Sequence, residues 1–123
     1  MAKLDVLSSD VLQQISDLKI YRSGWANDIR EGWQFGAEDI QGILFGLYEI
    51  SGSIILALEQ VIKGHYHDKM AMILVQRKLQ NLVKSEDFKD YDELCTEGFM
   101  SVISSGTKHH IRVMFECLKI LTA

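Results

Sequence analysis

The sequence predicts an all-α fold, about five helices in an irregular bundle around one long helix at about 37–63. Three observations carry that expectation. Proline is absent from all 123 residues, which removes the strongest helix breaker and many turn signals. Apolar residues recur at spacings of three and four in successive stretches, the repeat of one helix face. The composition is 47% hydrophobic, enough for one ordinary core and unlike that of a disordered chain. A chain of this length is expected to be a single domain, 1–123.

The long helix is the best-marked element. Counting about 100° per residue from Ile40, the residues Ile43, Leu44, Leu47, Ser51, Ile54, Ile55, Leu58, Val61 and Ile62 fall within roughly 60° of it. A strand would repeat every two residues and cannot produce that stripe. Gly36 lets the chain change direction just ahead, and Glu38 and Asp39 put carboxylates in the first turn, where the helix dipole favours them. Lys63 and Gly64 supply a cation and a C′ glycine at the other end.

The back of this helix carries more than solvating groups. Phe45 and Leu56 lie about 150° from the main stripe, on one side of the helix. Gly42, Gly46, Ser53 and Ala57 form a strip of small residues beside them. A mid-helix glycine costs about 1 kcal/mol relative to alanine, so close packing is expected there. Either the chain covers this second face itself, or another copy or a partner protein does. Glu49, Glu59 and Gln60 keep the face wet enough for a reversible contact.

The remaining elements follow in order. Met1 to Leu7 reads as an arm, and Ser8 or Ser9 can cap a helix from Asp10 whose apolar face is Val11, Leu12, Ile15 and Leu18. Ser23 and Gly24 predict an interruption. Trp25, Ile29 and Trp33 then recur every four residues in a short helix, and Phe35 follows. These aromatics suit core packing or a partner contact, since tryptophan is enriched in binding hot spots.

Past the turn at 64–68, a helix over about Asp68 to Lys84 is expected to fold back antiparallel on the long one. Its inward candidates are Met70, Ile73, Leu74, Leu82 and Val83, with Met72, Val75 and Leu79 as a second apolar edge. Ser85 to Tyr91 reads as a charged connector. Asp90 and Glu93 have capping-box spacing ahead of a helix to about Ser104, with Leu94, Cys95, Phe99, Val102 and Ile103 buried. Gly106 breaks the chain, and the last helix covers about Thr107 to Leu121, burying Ile111, Met114, Phe115, Leu118 and Leu121.

Motifs for chemistry are sparse. His65 and His67 with Asp68, His109 and His110, and the thiols Cys95 and Cys117 are the metal-ligating types present. Adjacent or i, i+2 histidines on a helix point in different directions, and the chain has no Cys-x-x-Cys, His-Glu-x-x-His or Glu-x-x-His. No metal and no cofactor are therefore expected. Glu86, Asp90, Glu93 and Glu97 would line one face of a helix that began early, and read as a solvated face. No glycine loop for phosphates is present. A net charge of −4 speaks against a general grip on nucleic acid. Glu49 and Glu59 interrupt the longest apolar run, so no membrane span is expected. Two cysteines and no leader pattern suggest a reducing, cytoplasmic setting.

What these readings leave is a small regulatory or inhibitory protein without catalytic residues, of anti-activator, immunity or adaptor type, acting by protein–protein binding and expected as a homodimer. Its contact residues are expected among Trp25, Trp33, Phe35, Gly42, Phe45, Gly46, Glu49 and Leu56. An alternative is a sensor or enzyme that uses the histidine or acidic clusters to bind a metal or small ligand. A third is a DNA-binding regulator using Lys69, Arg77, Lys78 and Lys84, although no recognition helix rich in Arg, Asn or Gln accompanies them.

Overall fold

A computed structural model describes residues 2–31, 38–97 and 106–123, with side chains described from 10 and from 40 in the first two segments. The expectations for Trp33, Phe35, Phe99, Val102 and Ile103 lie outside the described residues. Among the described residues five α-helices follow in order: α1 Ala2–Arg30, α2 Glu38–Ile62, α3 Lys69–Lys84, α4 Glu86–Thr96 and α5 Thr107–Leu121. The fold is all-α, a bundle in which the backbone of α2 neighbours all four other helices.

α2 is central because its stripe is buried. Ile40, Ile43, Leu44, Leu47, Ile54, Ile55 and Leu58 are all buried, joined by Ile50, Ser51 and Ala57, while Val61 and Ile62 pack against the core from its edge. The helix stops where the sequence indicates. Gly64 has φ +72°, the amide of His65 donates to the Gln60 carbonyl at 2.8 Å, and that of Gly64 donates to Val61 at 3.1 Å. This is the paired bonding of a Schellman cap, in which a glycine accepts the left-handed backbone without a Cβ clash.

The N-terminal half differs from expectation. Among the described residues there is neither the expected arm nor the expected break at Ser23 and Gly24: α1 is continuous from Ala2 to Arg30 and, at 29 residues, is longer than the 25-residue α2. Ser8 and Ser9 therefore lie inside a helix and not at its start. At Ser23 the hydroxyl turns back onto the Ile20 carbonyl at 2.6 Å, within the helix. Gly24 is buried against the bundle, so tertiary packing outweighs its modest helix penalty. Val11, Ile15, Leu18 and Trp25 form one buried face across the expected break, while Leu12 is 55% exposed.

α3 buries the edge expected to be secondary. Met72 and Leu79 are in the core, with Val75, Leu82 and Val83 packed against it, whereas Met70 and Leu74 are 67% and 56% exposed. The connector expected at 85–91 is a single residue. Ser85 ends α3 and begins α4, its Oγ donating to the Leu82 carbonyl at 2.7 Å and accepting from the Phe88 amide at 3.1 Å. Because one hydroxyl serves two helix ends, Ser85→Ala is expected to lower stability by about 1 to 2 kcal/mol, which urea unfolding would read. A loss below about 0.3 kcal/mol would show that water replaces the hydroxyl at both ends.

α5 is the most enclosed of the short helices. Thr107, His110, Ile111, Val113, Met114, Cys117, Leu118 and Leu121 are all buried, while Phe115 packs at the edge. Its last turn is tied to the α2–α3 turn, where His67 Nε2 lies 2.9 Å from the Leu121 carbonyl oxygen.

Candidate functional site

The structure separates the expected contact residues into three groups. Trp25 is fully buried, so it is a core residue and not a surface anchor. Its indole Nε1 donates to the Tyr91 hydroxyl at 3.1 Å, and Thr107 Oγ1 lies 3.4 Å from the same oxygen. Gly46 is half-buried and faces α3: a Cβ there would meet Leu82 Cδ1, so this glycine packs against a helix of the same chain. Gly42, Phe45, Glu49 and Leu56 form the third group, all on the outer side of α2 and all exposed. Phe45 is 48% and Leu56 64% exposed.

Beside that outer face, α1 and α2 enclose an open cleft of about 720 Å³. Small residues line part of it, Ser23 and Ala26 from α1 and Gly52 and Ser53 from α2. Leu56 also lines it, as do charges of both signs: Lys19 and Arg22 on α1, Glu49 and Glu59 on α2. Lys19 Nζ and Glu59 Oε2 are 3.8 Å apart across the helices, a surface pair worth little by itself.

Arg22 is the best-held polar group in the cleft. Its Nε donates to the Tyr48 carbonyl at 3.1 Å, and its guanidinium carbon lies 3.7 Å from the centre of the Tyr48 ring. A Cβ on Gly52 would lie 3.1 Å from Nε and Nη2, so a glycine gives this side chain its bed. Stacking and a hydrogen bond fix the guanidinium in advance. Among the described residues no carboxylate lies within ion-pair distance of it. The sequence signal for Arg22 was Gly52, a mid-helix glycine on the outer face with no evident purpose.

A second cluster of functional side chains is internal. The His110 ring stacks on Tyr21 with centroids 3.8 Å apart and planes 13° from parallel, and meets Trp25 edge-on at 5.9 Å. His110 is buried, and its Nδ1 has no hydrogen-bond partner among the described residues. Burial, with a smaller contribution from neighbouring His109, pushes its pKa down to about 4. Cys95 and Cys117 are free, buried thiols, pushed up to about 11 and about 12 chiefly by burial. Thiols so placed are protonated at neutral pH and poor nucleophiles.

The histidines and acids do not converge. His65 Nδ1 sits 3.2 Å from Gln60 Oε1, and His67 faces the end of α5. α4 does begin early, so Glu86, Asp90, Glu93 and Glu97 share an exposed face. Among the described residues no group of three or more His, Cys, Asp or Glu side chains is placed to hold a metal ion. The stretch Ile40–Ile62 is long and apolar enough to cross a membrane by length and composition, a measure that the core helix of a bundle also meets, and half of its most apolar window is buried. Comparison of the chain with protein-family models, with curated proteins and with solved structures finds no match.

Proposed function

We propose that the chain is a non-enzymatic regulatory or inhibitory protein that acts by binding another protein through the outer face of α2, and that rests as a homodimer. The observation that carries this reading is the pairing of exposed Phe45 and Leu56 with a cleft whose mixed charges include a pre-positioned arginine. Large apolar side chains that stay in water on the central helix cost solvation and contribute nothing to this chain's own core. Set beside ordered polar groups, they have the make-up of a contact patch: apolar anchors with a charged rim.

The test is retention of proteins from a lysate of the native host on immobilised chain. Wild type is expected to hold a specific protein that Leu56→Asp releases, with at least a tenfold loss of affinity once the partner is purified. Leu56 is 64% exposed, so its replacement is expected to change the unfolding free energy by no more than about 0.5 kcal/mol. Equal retention by wild type and variant would remove the outer face of α2 from the function. A Leu56→Asp chain that does not fold would show that the face belongs to the core.

A further inference from the structure

The outer face of α2 has a symmetry that points to its resting occupant. Gly42, Phe45, Glu49, Gly52, Leu56, Glu59 and Lys63 are spaced alternately three and four residues apart, the seam along which one helix packs on another at a shallow angle. About a midpoint between Glu49 and Gly52, the seam is complementary to its own reverse. Phe45 matches Leu56, Glu49 matches Gly52, and Glu59 matches Gly42. An antiparallel copy thus sets its exposed apolar side chains against each other and both carboxylates over glycines.

Charge agrees with that register. Gly52 is where Arg22 lies, with its guanidinium nitrogens 3.1 Å from the position of a Cβ. A Glu49 from another copy, placed over Gly52, reaches a guanidinium whose Nε and one flat face are already engaged by Tyr48 and whose terminal amino groups have no carboxylate within ion-pair distance among the described residues. The two-fold axis makes the contact twice. Gly42 supplies an independent observation. A Cβ there would meet nothing within 4 Å, so no described part of the chain explains a residue that weakens the helix. Under Glu59 of a second copy, its missing side chain is the room that copy needs.

We propose that two copies of this chain associate through α2 in an antiparallel, two-fold arrangement, with Phe45 packed on Leu56 of the other copy and Glu49 paired with Arg22 of the other copy. The proposal rests on the reading of this face as a contact surface and names its resting partner.

Two readouts test it. Glu49→Arg and Arg22→Glu each place like charges at both contacts, so each variant alone is expected to dissociate at least tenfold more readily than wild type in sedimentation equilibrium. Mixing the two restores both pairs, and the heterodimer is expected to form at concentrations where each variant is a monomer. Failure of the mixture to associate while wild type is a dimer would overturn the register. Disulfide capture reads geometry without charge. Phe45→Cys and Leu56→Cys lie eleven residues apart on one helix, too far to bridge within a chain, and the native thiols are buried. Oxidation is expected to cross-link the mixture of the two variants well above either alone. Cross-linking of each variant to itself would mean a parallel pair and overturn the proposal. Wild type that stays monomeric at high micromolar concentration would also overturn it. If Leu56→Asp still released a host protein in that case, the contact-surface reading would stand without the dimer. If it released none, both would fall.

Discussion

Trp25→Ala is expected to lower the unfolding free energy by about 3 to 5 kcal/mol, the usual cost of truncating a buried tryptophan. The side chain is fully buried, and it joins three helices through one hydroxyl, since its indole donates to Tyr91 of α4 while Thr107 of α5 approaches the same oxygen. Truncation removes apolar contacts, opens a cavity beside the stacked His110 ring and takes a donor from Tyr91. Small domains hold only about 5 to 15 kcal/mol in total, so the variant should melt about 10 to 20 °C below wild type. Trp25→Phe separates the causes. It keeps most of the ring contact and loses the hydrogen bond, for an expected cost of about 1 to 2 kcal/mol. Guanidinium unfolding of the three proteins checks both values. A loss below about 1 kcal/mol for Trp25→Ala would mean that the indole is not part of the cooperative core.

That the same tryptophan was a candidate surface anchor shows where sequence reasoning stops. Its spacing with Ile29 placed it on a helix edge, but whether that edge met solvent or α4 depended on Tyr91, sixty-six residues away. The ends of α2 and α5 were legible because their signals are local: the stripe itself, Gly64 as a C′ residue, and Gly106 before Thr107. The continuity of α1 was not. Ser23 and Gly24 read locally as a break, and only burial of Gly24 and of the face running from Val11 to Trp25 carries the helix through them.

α3 has two apolar edges of similar strength, and the choice between them is made by α2 and α5. Periodicity could find both edges and could not rank them. The contact face was half legible for the same reason. Phe45, Glu49 and Leu56 follow from helical angle alone, while Arg22 enters only because α1 crosses α2 at Gly52. Gly42 and Gly46 looked alike in sequence, and the position of Leu82 is what packs one against α3 and leaves the other open.

Acid is expected to destabilise the fold through His110 in a window set by its burial. In the folded chain the imidazole is held neutral until its pKa of about 4, whereas in the unfolded chain it takes a proton near pH 6.5. Above pH 6.5 neither state is charged and His110 contributes no pH dependence. As the pH falls from 6.5 towards 4 the unfolded state binds the proton first, so stability drops steadily across that interval and the deficit is constant below it. The expected size is about 3 kcal/mol, with the unpartnered Nδ1 and the flat contact with Tyr21 opposing protonation in the folded chain. The informative quantity is a difference between two chains that differ only at this ring. His110→Phe keeps a ring against Tyr21 and removes the titrating group. At pH 7 it is expected to be within about 1 kcal/mol of wild type, because an unsatisfied buried polar atom goes with the imidazole. At pH 4.5 it should be the more stable protein by about 2 kcal/mol. Urea unfolding of both chains between pH 7.5 and 4 checks the difference, and parallel profiles would show that His110 accepts its proton inside the folded bundle.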